Sequence, residues 1–393
     1  MRYKIIIACL VFFITTSISA QNKMDLVLAD IAKNNKSIKA NNQYWEAKKL
    51  LYKTGLTPSN PKIEYEYLPG SPSSAGTQTD IFILQQFDFP TAYIRKNQVA
   101  KQQIIQSEFE LTSYRQTVLL KAKQYCIDLI YHNKKQVELN KRLKNAETLH
   151  DNYQQKLANG NANMLDANKA KLQLLDIQNE VRLNTSIINQ DTQQLTELNG
   201  GTIVAFNETI YPLSPTLPDF KTLESTIEEN DPDLKSIHQQ NEIDKKKVAL
   251  SRAMALPKME AGYRSQELLG QTFQGIHVGI TIPLWQSKNS VKHQKAHLLY
   301  NDLQIEEHGN EHYYEIQQLY EKYENLNIAI TEYEKLLSSV NNVELLNKAL
   351  LLGEISSIQY FMELSYFYAS YDNYLALEKD YHQVIAKLYK YQL

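Results

Sequence analysis

Glycine and proline are scarce in this chain, at 12 and 11 of 393 residues. Both are costly inside helices, so their scarcity leaves room for long ones. Between Thr91 and Leu157 there is neither. Cysteine is nearly missing, with Cys9 and Cys126 the two copies. Cys9 lies in an N-terminal apolar run, so the mature chain keeps one cysteine, which excludes an internal disulfide scaffold. An excess of one charge is also missing. The balance is −2, and nothing in it points to nucleic acid. After residue 20 no window holds eighteen uninterrupted apolar residues, so no membrane-spanning helix is expected there. No Lys-Ser/Thr pair follows Pro69-Gly70-Ser71, which excludes a phosphate loop. The carboxylates show no pairing beyond helical surfaces, so general acid–base chemistry has no support. The chain is read as no enzyme, with no cofactor and no metal.

What is present begins with an export signal over residues 1–20. Arg2 and Lys4 form a basic n-region, Ile5 to Ile14 an apolar stretch, and Ser17-Ile18-Ser19-Ala20 a small-residue cleavage site. The hydrophobic fraction is 43% and the charged fraction 22%, values of a globular chain. Tyrosine is abundant, at 26. It suits surfaces that are dry at one end of the ring and wet at the other.

In order, residues 22–57 carry helical periodicity through Leu26, Ile31, Ile38, Trp45 and Leu50. Pro58 and Pro61 end that segment. Lys62 to Leu68, KIEYEYL, alternates strictly, with Ile63, Tyr65 and Tyr67 on one face. Residues 69–79 are a loop by composition. Strand 80–89 follows. Its alternation is blurred, because Phe82 and Leu84 fall opposite Ile81 and Ile83. At Pro90 the strand passes into a long helix that runs to Asn159-Gly160. A second helix returns from Met164 to about Leu198 and ends at Gly200-Gly201.

The second half repeats the first. Ile227, Asn230 and Leu234 lie 196 positions after Ile31, Asn34 and Ile38, and Pro257 lies 196 after Pro61. Strands are expected over 258–266 and 274–284. Met259, Ala261 and Tyr263 share one face of the first, and Ile276, Val278, Ile280 and Ile282 one face of the second. Pro283 lies 193 positions after Pro90, and Gly353 lies 193 after Gly160. Pro90 and Pro283 are therefore read as matched strand-to-helix corners, and Pro61 and Pro257, where helix gives way to strand, as the other two corners between the strand and helix regions. The organisation is a tandem repeat: first repeat 21–200 with a tip near 160, linker 201–219, and second repeat 220–393 with a tip near 353.

Four strands of about ten residues are too few to close a barrel alone. Each has an apolar and a polar face and the length of a tilted membrane strand. In lipid, an exported chain with such strands satisfies its backbone only in a closed barrel, so copies of the chain must supply the rest. Three copies give twelve strands, an even number in the known range. The outward-facing set would be Ile63, Tyr65, Tyr67, Tyr263, Ile276, Val278, Ile280 and Ile282. The long Tyr-, Leu- and Gln-rich helices would pack as coiled coils in the periplasm.

Across essentially the whole mature chain, the sequence resembles the TolC-like outer-membrane efflux proteins. The resemblance is carried by MDLVLADIAKNNKSIKA and its second-half form LESTIEENDPDLKSI, by the tip segments QKLANGNANMLDANKAKL and KALLLGEISSIQYFMELSYF, and by FDFPTAYIRK and ITIPLWQSK. FDFPTAYIRKNQ is also similar to segments of the heavy-metal (CusC/CzcC-like) branch. The resemblance implies a mostly α fold with a small transmembrane β part. A homotrimer would form a 12-stranded barrel above a long helical tunnel. It implies an outer-membrane channel of a Gram-negative bacterium, joined by a periplasmic adaptor (a membrane fusion protein) to an inner-membrane RND pump. It implies passive conduction of solutes, heavy-metal cations among the candidates. It also places an acidic ring at the closed tip. Here the sequence departs from the family pattern, because the expected aspartates near Gly353 are replaced by Gln359 and, one turn on, Glu363, while the first tip keeps Asp166. A ring of three carboxylates at a narrow pore favours cations. The rival reading is an exported, non-membrane helical scaffold or adaptor whose strands pair beneath protein.

Two further features have plainer readings. His293 and His297, like His308 and His312, are spaced as metal ligands on a helix, yet no third ligand at fixed spacing accompanies them. His308 to His312 also lacks the zinc-protease motif, because Glu311 is displaced. A solvated helix face accounts for both pairs. Cys126, within a helix, is read as a small buried hydrophobe.

Overall fold

The computed structural model describes residues 23–339 and 342–393. The export signal at 1–20 lies outside them. The elements in chain order are α1 (23–34), α2 (Lys36–Tyr52), β1 (Lys62–Pro69), β2 (Thr77–Phe87), α3 (Pro90–Ala158), α4 (Met164–Leu198), α5 (Phe220–Asn230), α6 (Pro232–Met254), β3 (Lys258–Leu268), β4 (Gln271–Thr281), α7 (Ser290–Ser339), α8 (Asn342–Leu352) and α9 (Ser357–Leu388). The fold is mostly helical with one small sheet. Two compact units divide it. Of the described residues, the first holds 23–40, 114–229, 313–339 and 342–393, and the second 41–113 and 230–312. The boundary cuts across both sequence repeats, so each unit draws on both halves of the chain.

In the first unit, equivalent positions of the two repeats build equivalent cores. Met24, Leu28 and Ile31 of α1 are buried with Leu119, Cys126, Leu129 and Ile130 of α3. Leu223 and Ile227 of α5 are buried with Ile316, Tyr323 and Leu326 of α7 and Val384, Ile385 and Leu388 of α9. Ile31 and Ile227, matched by the repeat, are both core residues. Leu26, counted in the same periodic set, is 58% exposed and faces outward.

The opening segment is two helices, where the periodicity implied one. The break falls at Asn35, whose Oδ1 accepts the backbone N–H of Ile38 at 2.8 Å. Its Nδ2 donates to the carbonyl of Leu198 at 2.7 Å. Asn35 thus caps α2 and pins the helix start to the end of α4. At that end Gly200 has φ 70°, and a Cβ there would lie 2.6 Å from the carbonyl oxygen of Asn34. Both constraints require glycine. The second repeat breaks at the equivalent point. There Asp231 caps α6 by accepting the N–H of Asp233 at 2.7 Å, with Pro232 in the first turn.

The second unit contains the sheet, in strand order β1-β2-β3-β4, every neighbour antiparallel. The central pairing of β2 with β3 joins strands of different repeats, from Gln78 opposite Leu268 to Phe87 opposite Met259. β2 begins at Thr77 and ends at Phe87, and β4 begins at Gln271 and ends at Thr281. Both lie about three residues upstream of the sequence expectation. The two corners expected to match differ. Pro90 is the first residue of α3, three residues beyond the end of β2. Pro283 lies in a connection of residues 282–289, and α7 begins only at Ser290. A proline is well placed at the first turn of a helix, where its missing N–H would have no partner. Pro283 instead ends the ladder of β4.

Candidate functional site: an amphipathic sheet and paired helix tips

Cross-strand partners share a face of a sheet, so the register assigns every strand residue to a side. Ile63 lies opposite Ile83 and Tyr65 opposite Ile81. Ile83 lies opposite Tyr263 and Phe87 opposite Met259. Tyr263 lies opposite Ile276, Ala261 opposite Val278, and Met259 opposite Ile280. One face therefore carries an apolar band across all four strands, interrupted by Gln85 and giving way to Thr79, Ser265, Glu267 and Gln274 toward the β1–β2 and β3–β4 turns. It is uncovered: Ile63 is 73% exposed, Ile276 87% and Val278 77%. Tyr65 and Tyr67 of β1 and Ile280 are exposed on it too, and Ile282, just past β4, is exposed at its edge.

The opposite face is polar. Asp80, almost fully buried, accepts from Gln78 Nε2 at 2.7 Å and from Arg264 Nη2 at 3.3 Å. Glu260 accepts from Gln86 Nε2 at 2.9 Å and lies 3.0 Å from His277 Nε2. This resolves the blurred alternation of β2. Ile81 and Ile83 belong to the apolar face. Phe82 and Leu84 belong to the polar face and are absorbed there by particular neighbours. The Arg264 guanidinium sits 4.7 Å over the Phe82 ring. Leu84 lies over Gly262, where an added Cβ would come within 2.8 Å of it. The sheet thus has one dry face, one wet face and two free edges, β1 and β4. Such edges are templates for further strands.

The helix tips lie in the first unit and are built alike. Gly160 ends α3 with φ 72°, and the N–H of Asn161 reaches back to the carbonyl of Lys156 at 2.7 Å. Gly353 ends α8 with φ 75°, and the N–H of Glu354 reaches the carbonyl of Ala349 at 2.9 Å. Each is a left-handed C-cap. Three residues on, Asn163 and Ser356 cap the returning helices, accepting the backbone N–H of Asp166 at 2.8 Å and of Gln359 at 3.2 Å. Asp166 and Gln359 are therefore structural equivalents. Asp166 is half-buried in the first turn of α4, where a carboxylate complements the helix dipole. Gln359 and Glu363, one turn apart on α9, are both exposed.

Behind the tips the two hairpins are tied together. Leu149, Tyr153, Ala167, Ala170, Tyr360 and Leu364 form a buried cluster. Within it Asn145, Tyr360 and Asn347 close a hydrogen-bonded ring. Asn145 Nδ2 donates to the Tyr360 hydroxyl (3.1 Å), that hydroxyl to Asn347 Oδ1 (2.6 Å), and Asn347 Nδ2 to Asn145 Oδ1 (2.9 Å). Tyr153 and Ser357 share a hydroxyl–hydroxyl bond of 2.6 Å. Farther along, Arg142 of α3 makes a bidentate pair with Asp372 of α9, at 3.1 and 2.8 Å, and stacks 4.2 Å from the Tyr368 ring. Sequence reasoning found none of these bonds, because all but Tyr360–Asn347 join residues more than 200 positions apart.

The histidine pairs have local partners. His297 Nδ1 lies 3.2 Å from Asp244, and His312 Nε2 lies 3.3 Å from Asp231. Among the described residues no group of three or more His, Cys, Asp or Glu side chains is arranged to hold a metal ion. Cys126 is fully buried, and burial pushes its thiol up to about 12, so it carries no thiolate reactivity. No described helix is long and apolar enough to cross a membrane.

No family model matches the sequence, and no curated protein matches it. Solved structures do match along nearly the whole chain. A membrane protein from Pseudomonas aeruginosa has a TM-score of 0.81 at 13% identity, covering 94% of this chain and 90% of its own. CusC, described in connection with folding and transmembrane channel formation, has a TM-score of 0.74 at 14% identity, covering 94% and 92%. The CmeC outer-membrane channel of Campylobacter jejuni has a TM-score of 0.71 at 15% identity, covering 94% and 85%. At these identities the likeness is one of fold.

Proposed function

We propose that this protein is the outer-membrane channel of a tripartite efflux system. It conducts solutes passively from an inner-membrane RND pump and a periplasmic adaptor to the outside of a Gram-negative cell. The observation that carries this reading is the sheet: apolar and uncovered on one side, hydrogen-bonded and charged on the other, with both edges free. Lipid suits the first face and a water-filled lumen the second. Three copies pairing β4 of one with β1 of the next close twelve strands and leave no edge. The scaffold reading would need protein over Ile276 and Val278, and none covers them.

The helices form the periplasmic conduit, and the tips form its gate. Gln359 and Glu363 are the exposed polar pair there, with Asp166 set back. In a trimer Glu363 supplies the ring of three carboxylates that favours cations. Heavy-metal cations are the candidate cargo, supported by the resemblance of FDFPTAYIRKNQ to the metal-efflux branch. Met164, Leu165, Leu351 and Leu352 are exposed apolar residues near the tip turns, a surface suited to the adaptor. Opening requires loosening bonds between hairpins, of which Arg142–Asp372 and Tyr153–Ser357 are the foremost. Membrane fractionation with native mass measurement tests the proposal: a trimer extracted from outer membrane by detergent is expected. A soluble monomer in the absence of detergent would sink it.

A further inference from the structure

The two free edges of the sheet are the two halves of a junction already present inside the chain. The β2–β3 pairing joins the second strand of the first repeat to the first strand of the second. β4 is the second strand of the second repeat, and β1 the first strand of the first. Pairing β4 with β1 of another copy makes the same junction with the repeats exchanged. Its register follows from the repeat spacings. β1 maps to β3 by 196 positions, the spacing of Pro61 and Pro257. β2 maps to β4 by 193, the spacing shared by Pro90–Pro283 and Gly160–Gly353. The observed pairs Gln86–Glu260, Leu84–Gly262 and Ile83–Tyr263 then set Gly279 opposite the partner's Glu64, His277 opposite the partner's Glu66, and Ile276 opposite the partner's Tyr67. In this register residues 62–69 of β1 all lie along β4, opposite 281 down to 274. A slip of one residue would set polar side chains against apolar ones along the whole seam.

Both faces close in that register. On the dry side Ile276, Val278 and Ile280 meet the partner's Tyr67, the partner's Tyr65 and the partner's Ile63, all exposed in the single chain. The apolar band thus runs on across the seam. On the wet side His277 is left incomplete by its own chain. Its Nε2 lies 3.0 Å from Glu260, and its Nδ1 has no partner among the described residues. The adjoining wet-face positions of β4 are glycines, and a Cβ at Gly275 would meet nothing within 4 Å. Glu66 is incomplete too. Glu64 pairs with Lys62, whereas Glu66 is exposed and has no hydrogen bond or ion pair among the described residues. Its cross-strand neighbour within the chain is Asp80, a like charge, which is unfavourable directly opposite. Its other side faces the seam.

We infer that His277 and Glu66 of the partner subunit form an ion pair across each seam of the barrel, with Glu260 as the third member. Directly opposite side chains have Cβ atoms about 4.5–5.5 Å apart, and a protonated imidazole donates from both ring nitrogens. One donor serves Glu260 and the other the partner's Glu66. The inference rests on the channel reading, which supplies the seam.

The test uses the full chain in its native membrane. Cys126, the one cysteine after the export signal, is fully buried, so introduced cysteines report without background. His277→Cys combined with Glu66→Cys is expected to give a covalent trimer on non-reducing gels after mild oxidation, since directly opposite strand positions meet disulfide geometry. His277→Cys combined with Glu64→Cys or with Leu68→Cys is expected to give little. A stronger cross-link from either of those two pairs overturns the register and the ion pair with it. So does a trimer that no pair cross-links. A charge exchange gives a second readout that needs no cysteine. His277→Glu gathers three carboxylates at each seam and is expected to abolish the denaturation-resistant oligomer, and adding Glu66→Lys is expected to restore it. An oligomer indifferent to His277→Glu, or no rescue by Glu66→Lys, overturns the ion pair. A wild-type chain recovered as a soluble monomer overturns the channel reading and the seam together, whereas a membrane trimer that fails these tests overturns the seam pair alone.

Discussion

Ile276 and His277 are adjacent in β4 and point to opposite sides of the sheet, which makes them a direct test of its orientation. Ile276 is the middle residue of Gln271–Thr281 and 87% exposed. If its face meets lipid, it lies near the bilayer midplane. Arginine there costs about 2–4 kcal/mol, falling toward zero near the interfaces. That corresponds to a loss of roughly 30- to 1,000-fold in the folding equilibrium per protomer, at about 1.4 kcal/mol per tenfold. In a trimer the cost recurs at three symmetric sites, for a total on the order of 6–12 kcal/mol. A loss of that size removes most of a marginal stability. His277→Arg should cost little, because its face is wet and Glu260, 3.0 Å from His277 Nε2, can receive the guanidinium. The assay is reversible urea unfolding in phospholipid vesicles, with the denaturation-resistant oligomer band on gels as a second readout. Ile276→Arg should abolish that band while His277→Arg keeps it. The reverse ranking would show that the face assignment is inverted. Two equally mild variants would show that neither face meets lipid, which is the scaffold outcome.

Three further predictions concern the helical unit. Tyr360→Phe should destabilise by about 0.5–1.5 kcal/mol, because half-buried Asn145 and Asn347 each lose one hydrogen-bond partner; thermal unfolding of the purified protein reads this, and a neutral result would remove the ring from the tip's energetics. Gly353→Val places a β-branched residue at φ 75° and should cost roughly 1–2 kcal/mol, whereas Gly353→Asn should cost much less. Equal costs would mean that the left-handed cap is not maintained. Asp191, buried on α4 with no partner for Oδ2, has its carboxyl pushed up to about 6 by burial and then by the neighbouring charge of Asp128. A carboxyl raised in the folded state stabilises below its unfolded value near 3.8, and that contribution is lost as pH rises through about 6. Asp191→Asn should therefore raise the melting temperature at pH 7.5 by the equivalent of about 2–3 kcal/mol. It should have little effect at pH 4, and a benefit independent of pH would refute the assignment.

The repeat was legible in the sequence because some positions are held by backbone geometry, which tolerates few residue types. Gly160 and Gly353 both need a left-handed φ, so both survive as glycine at a constant spacing of 193. The alternation of β1 and β4 was legible because Ile63, Tyr65 and Tyr67 of β1, and Ile276, Val278 and Ile280 of β4, recur at every second position on one face. What the sequence concealed follows from the same physics. Phe82 and Leu84 confuse the pattern of β2 because the residues that accommodate them, Arg264 and Gly262, stand about 180 positions away on the paired strand. Pro283 keeps its place in the repeat but loses its role. Proline is compatible with both the end of a ladder and the start of a helix, and only the eight residues 282–289 distinguish the two. Asp166 and Gln359 diverge more deeply. Both sit at the third position of a capped helix and donate the same backbone N–H, a bond indifferent to the side chain, so the fold does not constrain charge there. A carboxylate ring at the tip therefore cannot be read from the repeat. It depends on which residues would converge in the proposed trimer, and that leaves Glu363, exposed one turn beyond the cap and free of any capping duty, as the position where selectivity can vary without cost to the hairpin. Glu363→Gln should shift cation-to-anion selectivity in planar-bilayer conductance measurements while leaving the melting temperature unchanged. Asp166→Asn should instead lower the melting temperature by the equivalent of about 0.3–1 kcal/mol through the helix dipole, with selectivity unaltered. If Asp166 and not Glu363 sets selectivity, the set-back position of the first-tip carboxylate in each protomer is not preserved in the assembled pore.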